Sequence, residues 1–231
     1  MKRLIVGLIL LVVLAVAADR VALAAAQTEL ATGIQSEEHL ARRPTVALRG
    51  SPFLTQALSG HYTGGRVTIA ELTVDKLRLK NLVVDLTDVS VPLGDLVVSR
   101  VRQVPVGLVT GTALITYADL AAATGVAGLQ IRPKGDELEL EAPVTYLGQT
   151  VRVVASARVG VQGGALRITS GQVRGVPLPS AVANAALGRL AAAVPLDNLP
   201  YGMTVQSFRV TAAGLEVTAL SRNAVLRTTQ P

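Results

Sequence analysis

The chain has no cysteine and no tryptophan, and only two histidines and six aromatic residues in 231. Each shortage removes a class of chemistry. Without cysteine there is no disulfide, no thiolate nucleophile, no Cys-ligated zinc and no lipidated N-terminal cysteine. The fold is therefore held by burial alone. Six aromatics cannot supply the two interfacial girdles of an outer-membrane barrel. Nor can they supply the stacking platforms of a single-strand nucleic-acid binder. The histidines, His39 and His61, lie 22 residues apart, and neither has a second His or Cys at metal-ligand spacing. No Gly-rich phosphate loop follows a strand, and there is no Gly-x-Ser-x-Gly elbow. Asp85 and Asp88 form a pair for acid–base work or cation binding, or else sit on a solvated strand edge. The polar strand around them favours the edge.

What the chain does have is aliphatic mass. Half of its residues are hydrophobic, mostly Val, Leu and Ala. The net charge is +6, and 18 of the 22 basic residues are arginine, scattered along the chain. Nucleic-acid binders cluster such charge and interleave aromatics; this chain does neither. The excess positive charge suits a mild attraction to anionic lipid, at about 1 kcal/mol per well-placed cation, or an ordinary soluble surface of high pI.

Met1-Lys2-Arg3 is a positive n-region, and residues 4–18 are an unbroken apolar run. Fifteen residues is long for a signal-peptide core and short for a span needing about 20. Ala22-Leu23-Ala24 offers a cleavage site, with Asp19 and Arg20 standing between it and the run. The segment is therefore either a cleaved signal or a retained anchor. Both place the rest of the chain outside the cytoplasm. The expected organisation is residues 1–24 as signal peptide or signal anchor and 25–41 as a helical stalk broken by Arg42-Arg43-Pro44. An α+β domain then covers 42–222, followed by a flexible tail over 223–231.

From Thr45 onward strands dominate. Val67 and Ile69 alternate, then Leu72 and Val74, Leu77 and Leu79, then Leu82, Val84 and Leu86, then Val89 and Val91. The parity of the apolar face flips between groups at Ala70-Glu71, Asp75-Lys76, Lys80-Asn81 and Thr87-Asp88. One-residue slips of this kind come from bulges or tight turns, and repeated bulges coil a strand. A long, curved antiparallel sheet is expected. Leu138 and Leu140 alternate with Glu137, Glu139 and Glu141. Val151, Val153, Ala155, Ala157, Val159 and Val161 share a face. Gly163-Gly164 signals a hairpin, and Ala213-Gly214 a second, closing one. Gly64-Gly65 also reads as a turn.

Short apolar helices are expected between strands at 52–59, 92–97, 117–124 and 179–193. The first is announced at both ends. Ser51 suits the N-cap, Pro52 the first helical position, and Gly60 a left-handed end. Phe53 with Ala57, and Leu54 with Leu58, form i,i+4 pairs on one stripe. Asp119 falls in the first turn of its helix, where the dipole favours an anion. Tyr201 reads as a buried ring with its hydroxyl at a rim.

With no evident catalytic set, binding is the leading class. One sixteen-carbon acyl chain is worth about 12 kcal/mol against water, at roughly 0.8 kcal/mol per methylene. Taken from a bilayer that gain nearly vanishes, because lipid tails are as apolar as Leu. An aliphatic groove therefore exchanges lipid with a membrane at little net cost. Coiled strands of Val and Leu with short apolar helices could wall such a groove. They could equally be a sheet whose helices only plug its core, and the residues alone leave both open.

Gly50-x-Pro52-Phe53-Leu54-Thr55-x-x-Leu58-x-Gly60 resembles the opening motif of the actinobacterial LmeA-type phospholipid-binding proteins. So do Val91-Pro92-Leu93, Gly111-Thr112-Ala113, Thr116-Tyr117-Ala118-Asp119-Leu120, Leu199-Pro200-Tyr201-Gly202 and Val210-Thr211-x-x-Gly214-Leu215. The matches run in order from about residue 50 to 215. The resemblance implies a tubular lipid-binding fold, a curved sheet wrapped on helices. It implies an exported or membrane-anchored envelope protein that binds phospholipid, with phosphoinositides as a candidate class, and that supports lipomannan or lipoarabinomannan elongation. It brings no catalytic residue and no cofactor. The expected apolar lining, chosen from helix faces, is Phe53, Leu54, Leu58, Leu96, Leu120, Leu187 and Tyr201. The competing expectation is an anchored interaction module with no lipid ligand.

Overall fold

The N-terminal apolar run and the alanine-rich segment after it form one helix, α1 (Lys2–Glu37). It is long and apolar enough to cross a membrane. Gly33 is accommodated inside it with open space around its Cα. The helix stops at Glu37, short of the expected break at Arg42-Arg43-Pro44. His39 takes a left-handed conformation (φ 50°), and the Leu40 N–H donates to the Gln35 carbonyl at 3.0 Å. This is a Schellman closure, with buried Leu40 as its apolar contact. His39 thus serves a helix end where glycine is more usual.

The computed structural model describes residues 2–74, 77–92, 103–146, 149–163, 165–174, 199 and 202–227. Among them are two further helices, α2 (Phe53–Ser59) and α3 (Tyr117–Ala123). The strands are β1 (Thr45–Arg49), β2 (His61–Val74), β3 (Leu77–Ser90), β4 (Gln103–Thr116), β5 (Gln130–Lys134), β6 (Glu137–Tyr146), β7 (Gln149–Gln162), β8 (Ala165–Arg174), β9 (Thr204–Val210) and β10 (Gly214–Arg227). The fold is α+β, as expected. A six-stranded antiparallel sheet has the order β1-β2-β3-β4-β10-β9, and a four-stranded sheet the order β5-β6-β7-β8. The helices expected at 92–97 and 179–193 lie outside the described residues, apart from Pro92.

Two of the four parity flips have a visible cause. Asn81 (φ 50°) and Asp88 (φ 56°) are left-handed residues inside β3. Asn and Asp tolerate that conformation best after glycine, and one such residue turns the following side chains to the other face. Asn223 (φ 52°) does the same in β10 without a hydropathy signal. The Gly64-Gly65 pair is not a turn. Both residues lie within β2, opposite Arg49 and Leu48 of β1. A Cβ on Gly64 would lie 2.0 Å from the Leu86 carbonyl oxygen. Glycine is there because a backbone passes too close for any side chain.

The chain divides into two compact units, residues 1–69, 83–110 and 221–231 in the first and residues 70–82 and 111–220 in the second. The second contains the larger described core. Leu138 and Leu140 of β6 and Ala155 and Ala157 of β7 form its sheet face. Ile115, Leu120, Val205 and Leu215 join them. Leu120, Leu138 and Leu215 have no exposed surface, and burying each contributes roughly 1.5–3 kcal/mol. On the outer face Glu137 pairs with Arg158, Glu139 with Lys134, and Glu141 with both Arg132 and Arg152. One face is dry and the other carries a charge ladder, the division that the Leu/Glu alternation calls for. Strands β7 and β8 pair as the expected hairpin, with Gln162 facing Ala165; Gly164 lies outside the described residues.

Helix α3 begins with a side-chain N-cap. The Thr116 hydroxyl accepts the Asp119 N–H at 3.2 Å and donates to the Asp119 carboxylate. Arg78 and Lys80 each approach that carboxylate at 3.8 Å. The Tyr117 hydroxyl donates to the carbonyls of Thr211 and Gly214, tying α3 to the β9–β10 turn. Burial pushes the Tyr117 phenol above its usual range, and the bond to Thr211 partly offsets this. Within the turn the Thr211 N–H donates to the Gly214 carbonyl at 2.9 Å. Gly214 has φ 155°, and a Cβ there would lie 2.2 Å from the Ile115 carbonyl oxygen. A Gly214→Ala chain should lose about 2–4 kcal/mol of stability, since backbone must move to admit the methyl. Thermal unfolding compared with a control that has open space and no positive φ, Gly160→Ala, checks this.

In the first unit Asp85 of β3 lies between two arginines. Arg66 donates to both of its oxygens at 3.0 Å, and Arg49 also reaches it. The hydrogen bond from Arg66 holds the Asp85 carboxyl below the usual carboxylate range; burial opposes it, and the charges of Arg66 and Arg49 add to it. A depressed carboxyl contributes stability above its unfolded pKa and loses it as pH falls through its folded one. The groups are part-exposed, so the contribution is below about 1 kcal/mol. Asp85→Asn should therefore lower stability slightly at neutral pH and leave less to lose below the ordinary Asp range. Urea melts across that pH interval measure the difference.

Candidate lipid-binding site

Helix α2 is seven residues long, too short to persist on its own propensity, so its neighbours must hold it. Ser51 is not its cap. Pro52 takes the N-cap place in an extended conformation (φ −71°, ψ 145°) with no side-chain cap bond of its own. Proline has no side-chain acceptor, and the duty passes to α1. The Leu54 N–H donates to Asp19 Oδ1 at 2.8 Å. Asp19 is only 6% exposed. The neighbouring Arg20 donates to the Ser51 hydroxyl at 3.4 Å. Two consecutive residues of α1, at the end of its apolar run, therefore grip the start of α2.

The rest of α2 is fixed as firmly. Gln56 Oε1 accepts the Thr63 N–H at 2.8 Å, and its amide lies against Gly50, where a Cβ would clash. Gly60 ends the helix in the left-handed conformation (φ 72°), as expected. Its carbonyl accepts the Val91 N–H at 2.8 Å. The Phe53 ring is buried, tilted against Tyr62 with centroids 6.2 Å apart. Burial also pushes the Tyr62 phenol above its usual range.

The stripe opposite these attachments is left uncovered. Leu54 is 37% exposed and Leu58 74%. The i,i+4 pair thus presents two leucines to the surroundings from a helix pinned at both ends. The candidate residues accordingly fall into separate environments. Phe53, Leu54 and Leu58 share α2, with Phe53 inside and the leucines outside. Leu120 belongs to the second unit, where it is fully buried in the core. Leu96, Leu187 and Tyr201 lie outside the described residues.

No acid–base pair forms from Asp85 and Asp88, since Asp85 is taken by its arginines and Asp88 packs against Gly107. The His61 ring meets the Ser90 hydroxyl at 3.2 Å on an exposed surface. Among the described residues no group of three His, Cys, Asp or Glu could hold a metal.

Sequence reasoning did not anticipate Asp19 or Gln56 as attachments of α2. The available signal for Asp19 was a lone carboxylate directly ending a 15-residue apolar run. Such a group needs a partner, but its spacing does not say which.

The described elements define an α+β protein with a large antiparallel sheet, a smaller second sheet and a long apolar N-terminal helix. The chain belongs to the LmeA-like phospholipid-binding family, whose family model matches residues 17–219. That match begins ahead of Asp19 and so includes the residues that grip α2. Comparison with curated proteins and with solved structures found no match.

The two sides of α2 should respond differently to substitution. Phe53→Ala should cost about 3–5 kcal/mol, as for a buried aromatic. Leu58→Asp should stay within about 0.5 kcal/mol of the parent. Denaturation of the full chain in mild detergent separates the two.

Proposed function

We propose that this protein is a non-catalytic phospholipid carrier or sensor of the cell envelope, and that α2 is the lip at which acyl chains enter. The observation that carries the reading is the exposure of Leu54 and Leu58 on a helix held at both ends by hydrogen bonds. Both belong to the stretch that resembles the opening motif of the family. Other motif residues have work inside the fold. Thr116 and Asp119 cap α3, Tyr117 ties it to a turn, Gly214 clears a backbone, and Leu120 and Leu215 fill a core. Leu54 and Leu58 keep exposed apolar surface, and membership of a phospholipid-binding family supports an apolar ligand for it.

In this reading Phe53 anchors the lip and Leu54 and Leu58 touch the chains. Leu96, Leu187 and Tyr201 remain proposed lipid contacts, while Leu120 is fully buried in the core of the second unit and has no surface to offer an acyl chain. The energetics suit exchange rather than permanent capture, because an acyl chain moving from bilayer to aliphatic protein gains little. The excess arginine favours an anionic headgroup, with phosphoinositide as the proposed class. The compartment proposed is extracytoplasmic, at the plasma membrane, with support of lipoglycan elongation as the wider role.

The test is native mass spectrometry of the full chain purified from membranes, together with uptake of labelled phospholipid from liposomes. Bound phospholipid is expected. Leu54→Asp with Leu58→Asp should reduce uptake about tenfold, equivalent to about 1.4 kcal/mol, while leaving the melt unchanged. Repeated absence of lipid from the parent chain in both assays would sink the reading.

A further inference from the structure

The apolar run of α1 ends at Ala18. Its large side chains are open to the surroundings, from Leu4 at 79% exposed to Val16 at 54%. At 1.5 Å per residue the run is about 22 Å long, which leaves a 30 Å hydrocarbon layer only a few ångströms unfilled at each side. Lys2 and Arg3 at one end and Arg20 at the other have stems long enough to reach the headgroups from there. Asp19 then falls at the outer boundary of the hydrocarbon. A carboxylate at that depth is costly unless it is bonded, and here it accepts the Leu54 N–H at 2.8 Å. One hydrogen bond satisfies a charge at the edge of the membrane and fixes where α2 begins.

We propose that α1 is retained in the mature protein as its membrane anchor. We propose further that the Asp19–Leu54 bond sets α2 at the outer-leaflet interface of that same bilayer, with Leu54 and Leu58 dipping among the lipids. The occupant of the exposed α2 stripe is the bilayer itself. Three observations point there rather than to a protein partner. The stripe is joined through Asp19 to a helix segment whose exposed side chains are all apolar. Arg20 stands at the junction, beside Ser51, where anionic headgroups would lie. The family match from residue 17 takes in Asp19 and Arg20, which a cut after Ala24 would discard. Removing them would leave the Leu54 N–H without its acceptor and the start of α2 without its grip. The inference rests on reading α2 as a lipid-facing helix and adds the source of the lipid, the outer leaflet of the anchoring membrane.

The absence of cysteine makes the test direct. The full chain carrying Leu58→Cys is labelled with an environment-sensitive fluorophore. It is reconstituted in phosphatidylcholine–phosphatidylglycerol vesicles containing lipids brominated at shallow or deep acyl positions, with unbrominated vesicles as the control. The label at position 58 should be at least about twofold quenched by shallow bromines relative to that control. Adding Asp19→Ala should remove most of that quenching, and Asp19→Asn, which keeps an acceptor oxygen, should restore it. Intact-mass measurement of the chain from native membranes should retain residues 1–24. A label at position 58 as unquenched as the control, or a mature chain starting after Ala24, overturns the inference. Native mass spectrometry of the same samples separates the two readings. Bound lipid with an unquenched label overturns membrane insertion alone. A quenched label without bound lipid overturns the carrier function and leaves insertion standing.

Discussion

A carboxylate at the edge of fifteen apolar residues must find a hydrogen-bond donor, and a seven-residue helix must find an acceptor for its first N–H groups. In this protein each need meets the other. Asp19 and Leu54 are 35 positions apart in sequence, and one hydrogen bond serves both. The bond orders a helix too short to stand alone and fixes its position along α1. It also decides which face of α2 is left outward. The rest of the first unit around α2 follows from that placement: Phe53 inward on Tyr62, Gln56 across to Thr63, Gly60 against Val91.

The second unit is governed by a different constraint, backbone proximity. Gly214 lets one strand pass within van der Waals distance of Ile115, and the Thr211–Gly214 turn that results offers two carbonyls to Tyr117. Thr116 and Asp119 then close the end of the helix that Tyr117 begins. These side chains look like chemistry when read one by one: a tyrosine, an aspartate and a hydroxyl within four residues. Together they are a device for docking a helix, with every polar atom engaged. Function is therefore better sought where apolar surface is left unused than where polar groups converge.

Much of the architecture was legible because it rests on period and on local backbone preference. The Leu/Glu alternation of β6 declared a sheet with one wet face. The slips at Asn81 and Asp88 were visible as parity changes, because those residue types tolerate the left-handed conformation that causes them. Gly60 as the end of α2 and Asp119 in the first turn of α3 were legible for the same local reason. Gly64-Gly65 misled because a turn and a close approach of strands both demand glycine, and only the neighbouring strand distinguishes them. Ser51 misled because a good cap residue cannot act when the next position, Pro52, takes the cap conformation itself.

Composition and pattern alone therefore determined the α+β class, the apolar leader, the strand faces and the existence of α2, since all of these are set by neighbours a few residues away. Which side of α2 is buried, what caps it, and whether the leader is part of the folded unit were decided by tertiary structure. Those outcomes depend on residues 19, 54 and 62 meeting in space, and no local preference encodes a meeting between positions so far apart along the chain.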